Sequence, residues 1–438
     1  MTLRFLHLAD LHLDTAWGGQ PATRDRLREA TRQAFAAAID LALTEALDAV
    51  LVAGDGFDEE RLDFGTELWL TRQVRRLSAG GIDLIWIAGN HDPGGPGGRL
   101  AGLGLGSPGG AAAPSGLSAA TRSAPGAVHI VQAGEPRTLE LRGKDGGLRG
   151  LVACAGHATS AETDNLAARF PRLAADVPTV GLLHTQVHAA AGAAEHASYA
   201  PSTEADLAAP GYDYWALGHV HRRGRPFPRV PAWYAGNLCG RHPGEHGPKG
   251  GLVVELEAGS APLVRFVELA PTRWERREVG SLAHCRTAAE LADALARAAE
   301  EAQEQATGAE LLLRLIPTGP CPLAPALAQP SSREALEAEL RERTGLLEVQ
   351  LRPRGLHVSR SLEELREHPS ALASALELAQ AWEQDPEGAF LEPTQAPDRL
   401  QLAGLPTDPA QRTLYLQQLT VDLAETLLQR TLPAPATE

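Results

Sequence analysis

Cysteine is scarce in this 438-residue chain. There are four, Cys154, Cys239, Cys285 and Cys321, and none sits in a Cys-x-x-Cys pair. That spacing indicates neither a zinc knuckle nor a disulfide framework. An intracellular, reducing compartment, the cytoplasm, is the simplest expectation. Long apolar runs are also missing. None is long enough to span a bilayer, so no membrane partner is expected. The opening MTLRFLHLADLHLD has a short apolar stretch, broken by His7 and Asp10, with no cleavage site. It does not read as a signal peptide. Positive charge is in deficit: 40 Lys and Arg stand against 55 Asp and Glu, a formal net charge of -15. Such a chain does not coat nucleic acid through bulk charge, which leaves local basic patches.

The apolar fraction of 43% and charged fraction of 22% are those of an ordinary globular protein, and the length suggests about two to three domains. The 32 prolines and 44 glycines cluster, and they mark loops. Residues 3–8, 49–53 and 82–88 read as strands, and 25–47 and 62–77 as helices. This alternation implies a sheet covered on both faces. Residues 93–126, rich in Gly, Pro, Ala and Ser, read as a long surface excursion. Strands follow at 128–131, 138–141, 148–153, 180–183, 212–217, 252–257 and 263–269. Near Pro271 the character changes to a small α/β unit, with helices at 290–305 and 332–343 and strands at 310–316 and 346–351. From Ser361 only helical patterns remain. The last starts near Thr407-Asp408-Pro409 and carries a stripe of Leu416, Leu419, Leu423 and Leu427.

Five short segments each follow an apolar strand: Asp10-x-His12, Gly54-Asp55, Gly89-Asn90-His91-Asp92, Gly181-x-x-His184 and Gly218-His219-x-His221. In α/β sheets ligands bind outside the carboxyl ends of strands, so the five can converge. Carboxylate, amide oxygen and imidazole suit manganese, iron, cobalt or zinc. The absence of thiols disfavours a structural zinc site. Two cations about 3.5–4 Å apart need a bridging carboxylate, and Asp55, flanked by Gly54 and Gly56, is the natural bridge. His91 fits a general acid on a leaving oxygen, with Asp92 beside it to orient the ring. Singly, each segment reads as well as a capping Asp or a satisfied core histidine; together they point to metal.

The stretches FLHLADLHLD, LVAGDGFD, IAGNHD, GLLHTQV, YWALGHVH and WYAGNLCGRHPGEHGPKGGLVVEL resemble the calcineurin-like metallophosphoesterases, and more closely the SbcD and YhaO group of DNA repair exonucleases. The resemblance covers residues 1–270 and rests on pattern over about 271–355. It implies a four-layer α/β sandwich, two mixed sheets flanked by helices, over 1–270. A small α/β capping domain that positions DNA would span 271–358, and a helical tail 359–438. It implies one metal on Asp10, His12, Asp55 and His221 and a second on Asp55, Asn90, His184 and His219. Manganese is the expected ion and His91 the proton donor. The group usually has a bulky apolar residue where this chain has Gly56. Arg222, Arg223, Arg225 and Arg241 are candidate contacts to DNA phosphates. By the same analogy the tail docks an SMC-like coiled-coil ATPase, and 62–77, with Trp69 and Leu70, is a homodimer face. A cyclic-nucleotide phosphodiesterase and a metal-stabilised scaffold without catalysis are the alternatives.

Overall fold

The computed structural model describes residues 2–15, 20–58, 62–94, 125–132, 134–173, 176–187, 199–306 and 308–358, with Gln411 and Leu414. Most of the 93–126 excursion lies outside the described residues. So do the helical patterns from Ser361, the Leu416–Leu427 stripe included.

The chain opens with β1 (Thr2–Leu8), α1 (Pro21–Thr44), β2 (Ala49–Ala53), α2 (Phe64–Ala79), β3 (Asp83–Ile87) and β4 (Val128–Val131). Then come β5 (Arg137–Arg142), β6 (Leu148–Ala155), β7 (Thr179–His184), α3 (Glu204–Ala208), β8 (Tyr214–Gly218), β9 (Ala232–Tyr234), β10 (Gly250–Glu257) and β11 (Leu263–Glu268). One sheet has the order β11-β10-β1-β2-β3-β4 and the other β5-β6-β7-β8-β9. Strands β1 to β4 run parallel, as do β6 to β9. Antiparallel β10, β11 and β5 make both sheets mixed.

Alternation along the strands builds the layers, because successive side chains point to opposite faces. Leu3, Phe5, Leu51, Ile85 and Ile87 meet Val152, Cys154, Val180, Leu182 and Tyr214 between the sheets. Leu6, Leu8, Val50, Val52, Leu84 and Trp86 face the other way, against Ala34, Phe35, Ala38, Leu70 and Val74 of α1 and α2. The outer face of the second sheet, with Leu183, Trp215 and Leu217, is covered by Leu166, Phe170, Leu207 and Tyr212. The result is the four-layer α/β sandwich of two mixed sheets.

The apolar spacing of α1, from Leu27 through Ala30, Ala34 and Ile39, gives its buried face. The helix begins at Pro21, four residues earlier than periodicity suggests, because a proline fits the first turn. Asp63 caps α2 by accepting from Gly65 N at 2.6 Å. On α2 the two residues expected at a homodimer face turn inward: Leu70 is fully buried, and the Trp69 ring lies 6.0 Å from Phe35. The exposed apolar residues are Phe64 (72%) and Leu68 (46%), one turn apart.

Two compact units emerge: residues to Glu275 with Ala306–Leu312, and Arg276–Gln305 with the chain from Leu313. The remaining elements are β12 (Thr272–Val279), α4 (Ala288–Gln305), β13 (Glu310–Pro320), α5 (Ala324–Leu327), α6 (Pro330–Thr344), β14 (Glu348–Leu351) and β15 (Arg354–His357). The sheet order is β12-β13-β14, with β15 parallel to β13. Leu291, Leu295 and Ala299 form the buried stripe of α4. Among the described residues no helix is long and apolar enough to cross a membrane.

Gly56 has a specific cause. A Cβ there would fall inside the Trp86 indole, which stacks on Phe57 at 5.5 Å and 21°. The indole from β3 occupies the volume that a bulky residue after Asp55 would otherwise fill, so the loop is packed rather than loose. Gly56→Leu is expected to destabilise the fold by about 1–3 kcal/mol through overpacking, read from urea unfolding, and Trp86→Val in the same chain to recover part of the loss. A Gly56→Leu protein as stable as the parent would show that the indole does not fill this slot.

Candidate metal centre

Seven residues expected at the site leave the carboxyl ends of five strands: Asp10 and His12 after β1, Asp55 after β2, Asn90 after β3, His184 at the end of β7, and His219 and His221 after β8. Because β1, β2 and β3 are neighbours in one sheet and β7 and β8 in the other, the five ends open at one mouth. Asp10, His12, Asp55 and His219 all have positive φ, of 50°, 47°, 52° and 101°. Each such non-glycine residue costs about 1–3 kcal/mol and clusters of them mark functional sites. Local hydrogen bonds hold the strained loops together. Asp10 N donates to Gly54 O at 3.1 Å, His12 N to Asp55 O at 3.0 Å and Leu13 N to Gly56 O at 2.8 Å. At Gly89 a Cβ would collide with the Asp55 carboxylate, so no larger residue fits there.

Among the described residues, Asp10, His12 and His221 place their ligand atoms within 4.8 Å of one another, and so do Asp55, His184 and His219. Asn90 joins the second group through Oδ1, 2.9 Å from His184 Nε2 and 3.0 Å from His219 Nδ1. All seven residues are therefore brought together. Their proton pattern is informative. His184 Nδ1 lies 2.8 Å from Ala53 O, which can only accept, so this nitrogen carries the proton. Its Nε2 faces two further acceptors, Asn90 Oδ1 at 2.9 Å and Asp55 Oδ2 at 3.3 Å, so a second proton or a cation must stand between them. In the first group the Nδ1 atoms of His12 and His221 meet the carboxylates of Asp58 and Glu245. Their Nε2 lone pairs then point at each other across 3.1 Å. Acceptors aimed at acceptors require positive charge between them, and this donor set fits divalent cations.

The proton equilibria agree. Burial raises the Asp55 carboxyl, but His184, His12 and His91 outweigh it and hold it well below the usual range. Burial lowers His184, but Asp55 and Asp10 outweigh that and push the ring up to about 9. Burial outweighs the pull of His184 at Asp10 and pushes this carboxyl up to about 7. The raised His184 ring marks a mouth that draws in cationic charge, which a second proton on this ring supplies when no metal does.

Asp92 does not orient His91. Its buried carboxylate accepts from Gly56 N at 2.8 Å and Gly89 N at 2.7 Å, so it ties the Asp55 loop to the Asn90 loop. The carboxylate that meets His91 is Asp58, 3.0 Å from Nδ1, and the His91 side chain is 42% exposed. That hydrogen bond, against burial, raises the His91 pKa. Asp58 also receives Thr15 Oγ1 at 2.7 Å.

Arg241 is no rim residue either. Its side chain is 15% exposed and spans both backing carboxylates, at 3.4 Å from Asp58 Oδ2 and 3.2 Å from Glu245 Oε1. A guanidinium between the half-buried Asp58 and the buried Glu245 keeps both carboxylates charged. Arg223 and Arg225 are exposed and lie over the rings of Phe266 and Trp233, at 3.5 and 5.0 Å from the centroids. Arg222 is exposed beside them. Lys249 is buried and donates to His221 O at 3.1 Å and Asn237 Oδ1 at 2.6 Å. Tyr234 belongs to the core, its hydroxyl donating to Thr185 O at 2.8 Å. Sequence reasoning missed the parts played by Asp58 and Glu245. Asp58 had a signal, three residues after Asp55 in GDGFD; Glu245, in HPGEH, lies 24 residues beyond its imidazole partner.

Comparison with known proteins agrees with this geometry. Residues 3–223 match the family model for calcineurin-like phosphoesterases, and residues 274–352 that for the middle domain of metallophosphoesterase YhaO. The uncharacterized metallophosphoesterase YhaO of Bacillus subtilis is 32% identical over 283 residues, 63% of this chain and 63% of its own. The DNA double-strand break repair protein Mre11 of Aeropyrum pernix is 34% identical over 89 residues, 20% of this chain and 21% of its own. That of Sulfurisphaera tokodaii is 33% identical over 89 residues, 20% and 22%. The chain thus spans under two thirds of each of these relatives. A solved dimetal phosphatase from Danio rerio, with 14% identity and a TM-score of 0.36 over 60% of this chain and 98% of its own, is too loose a likeness to bear on the chemistry. The family implies a phosphoester hydrolase that works with divalent metal ions. Matched through the first half of its length, with the acidic and imidazole clusters in place, the chain belongs to the calcineurin-like phosphoesterase family.

Proposed function

We propose that this protein hydrolyses phosphodiester bonds in DNA, in repair, with two divalent cations, manganese by preference. Asp10, His12, Asp55 and His221 would hold one cation, and Asp55, Asn90, His184 and His219 the other. The observation that carries the chemistry is the pair of ligand clusters, Asp10 with His12 and His221, and Asp55 with His184, His219 and Asn90. Such a cation pair, when bound, offsets phosphate charge and lowers the pKa of water.

The chain's own residues do the rest. Asp55 receives His91 N at 2.9 Å, which sets the His91 backbone against the bridge. Asp58 holds His91 Nδ1, and this leaves Nε2 on the exposed side to protonate the departing sugar oxygen. Arg222, Arg223 and Arg225 supply exposed positive charge just past His221, where backbone phosphates of a strand would lie. DNA as the substrate is supported by the likeness to two relatives named for double-strand break repair. In this reading residues 359–438 dock an SMC-like coiled-coil ATPase. Two copies meet through α2, where Phe64 and Leu68 stand exposed.

The reading is tested by timed digestion of end-labelled linear single- and double-stranded DNA with each metal, with and without the ATPase. Manganese-dependent cleavage that EDTA abolishes is expected. Turnover of bis-p-nitrophenyl phosphate without any cleavage of DNA would favour a small-molecule phosphodiesterase, and turnover of neither a scaffold. His91→Asn should lower kcat by about 10²–10⁴-fold while the bound manganese, counted by atomic absorption, stays at the parent level. Asp55→Asn should instead lose both cations and all turnover. A His91→Asn protein that loses its metals, or keeps full turnover, would remove His91 from the acid's role.

A further inference from the structure

Glu245 lies in the chain between β9 and β10, outside all five strand-end segments, yet its carboxylate is buried and fully engaged. It accepts from His221 Nδ1 at 2.7 Å, Asn237 Nδ2 at 2.9 Å, Arg241 N at 2.6 Å and Arg241 Nε at 3.2 Å. Lys249, also buried, donates to Asn237 and to the His221 carbonyl. One buried charged network therefore grips His221 at both its ring and its main chain. Burying a carboxylate, a lysine and most of an arginine is a poor route to stability, because each must leave water. The arrangement is better explained by what it does to the imidazole.

Two groups compete for His221 Nδ1. Arg241 Nη2, at 3.0 Å, can only donate, and Glu245 Oε1, at 2.7 Å, can only accept. The carboxylate is closer, and Arg241 reaches other acceptors in Glu245 and Asp58. The proton therefore belongs on Nδ1, and Nε2 is left as the ligand atom facing His12. The second group differs: the Nδ1 of His184 is backed by a neutral carbonyl, Ala53 O.

The geometry points to Glu245 as a positioning residue for one cation only: it fixes the proton on His221, aims Nε2, and sets how tightly the position shared with His12 holds its metal. This rests on the two-cation reading above. A carboxylate behind a ligating histidine raises its basicity and locks its orientation.

The test uses full-length, metal-free protein and manganese chloride alone, titrated by calorimetry with free manganese counted by electron paramagnetic resonance. The parent should show two binding events. Glu245→Gln keeps the volume and one acceptor but removes the charge. It should weaken one event by about 10–100-fold and leave the other unchanged, with the metal-free melting temperature held. Asn237→Ser, which removes one donor to Glu245 and with it the acceptor of Lys249 but leaves the charge behind His221, should weaken the same event by less. Parent-like affinities in Glu245→Gln, with or without a lower melting temperature, overturn the inference, as does an equal loss at both events. If Glu245→Gln does not fold, Asn237→Ser decides on the same terms. A parent protein that takes up fewer than two cations overturns the two-cation reading itself, before either variant is made.

Discussion

Everything at this site follows from a surplus of hydrogen-bond acceptors in one small, buried mouth. His184 Nε2, Asn90 Oδ1 and Asp55 Oδ2 crowd together so that only a second proton on His184 or a cation reconciles them, and His12 and His221 turn lone pairs towards each other across 3.1 Å. Buried polar atoms are nearly always paired. A cluster that instead sets like against like is stable only with cationic charge at its centre. Burial raises both carboxyls, but at Asp55 the imidazoles of His184, His12 and His91 outweigh it and keep the group ionised, whereas at Asp10, equally buried, burial wins and pushes it up towards neutrality.

Holding such a cluster open requires stiffness elsewhere. The parallel strands aim their ends at the mouth, and the loops that leave them are strained at Asp10, His12, Asp55 and His219. Strain of that kind persists only where the surroundings over-determine it. Here the loops zip to one another by main-chain hydrogen bonds, Asp92 staples the Asp55 loop to the Asn90 loop, and Trp86 packs the gap beside Gly56. The large core between and outside the sheets supplies the frame. The mouth itself contributes little to stability and draws on that of its surroundings.

What could be read from the chain was whatever is local. Each expected ligand sits within a few residues of an apolar strand, and the unbroken apolar runs of β2 and β3 are those of strands buried on both faces. What could not be read depends on chain segments meeting in space. Glu245 has no periodic relation to His221. Arg241 looks like one more cation in a basic loop until its position between Asp58 and Glu245 is known. Asp92 adjoins His91 in sequence, yet its carboxylate belongs to backbone amides, while Asp58, 33 positions away, meets the ring. Among the strands, β12 was missed: TRWERREV is too charged to resemble a strand, though Thr272 and Trp274 are buried on one side. The short β9 and β15, of 3 and 4 residues, carry too little pattern to be seen.

Asp58 adds a constraint that neither metal group has alone. One of its oxygens contacts both His12 Nδ1 and His91 Nδ1, and the other receives Thr15 and Arg241. His12 is buried and faces His221, whereas His91 stands exposed at the edge of the mouth. A single carboxylate thus sets the orientation of an inward and an outward imidazole at once, and Arg241 ties that carboxylate to the one behind His221. The distance between the His12 and His91 rings is therefore not left to loop conformation. It is set by a charged chain running from Glu245 through Arg241 to Asp58. Because each link leans on the next, these side chains act as one unit, and their individual contributions will not add.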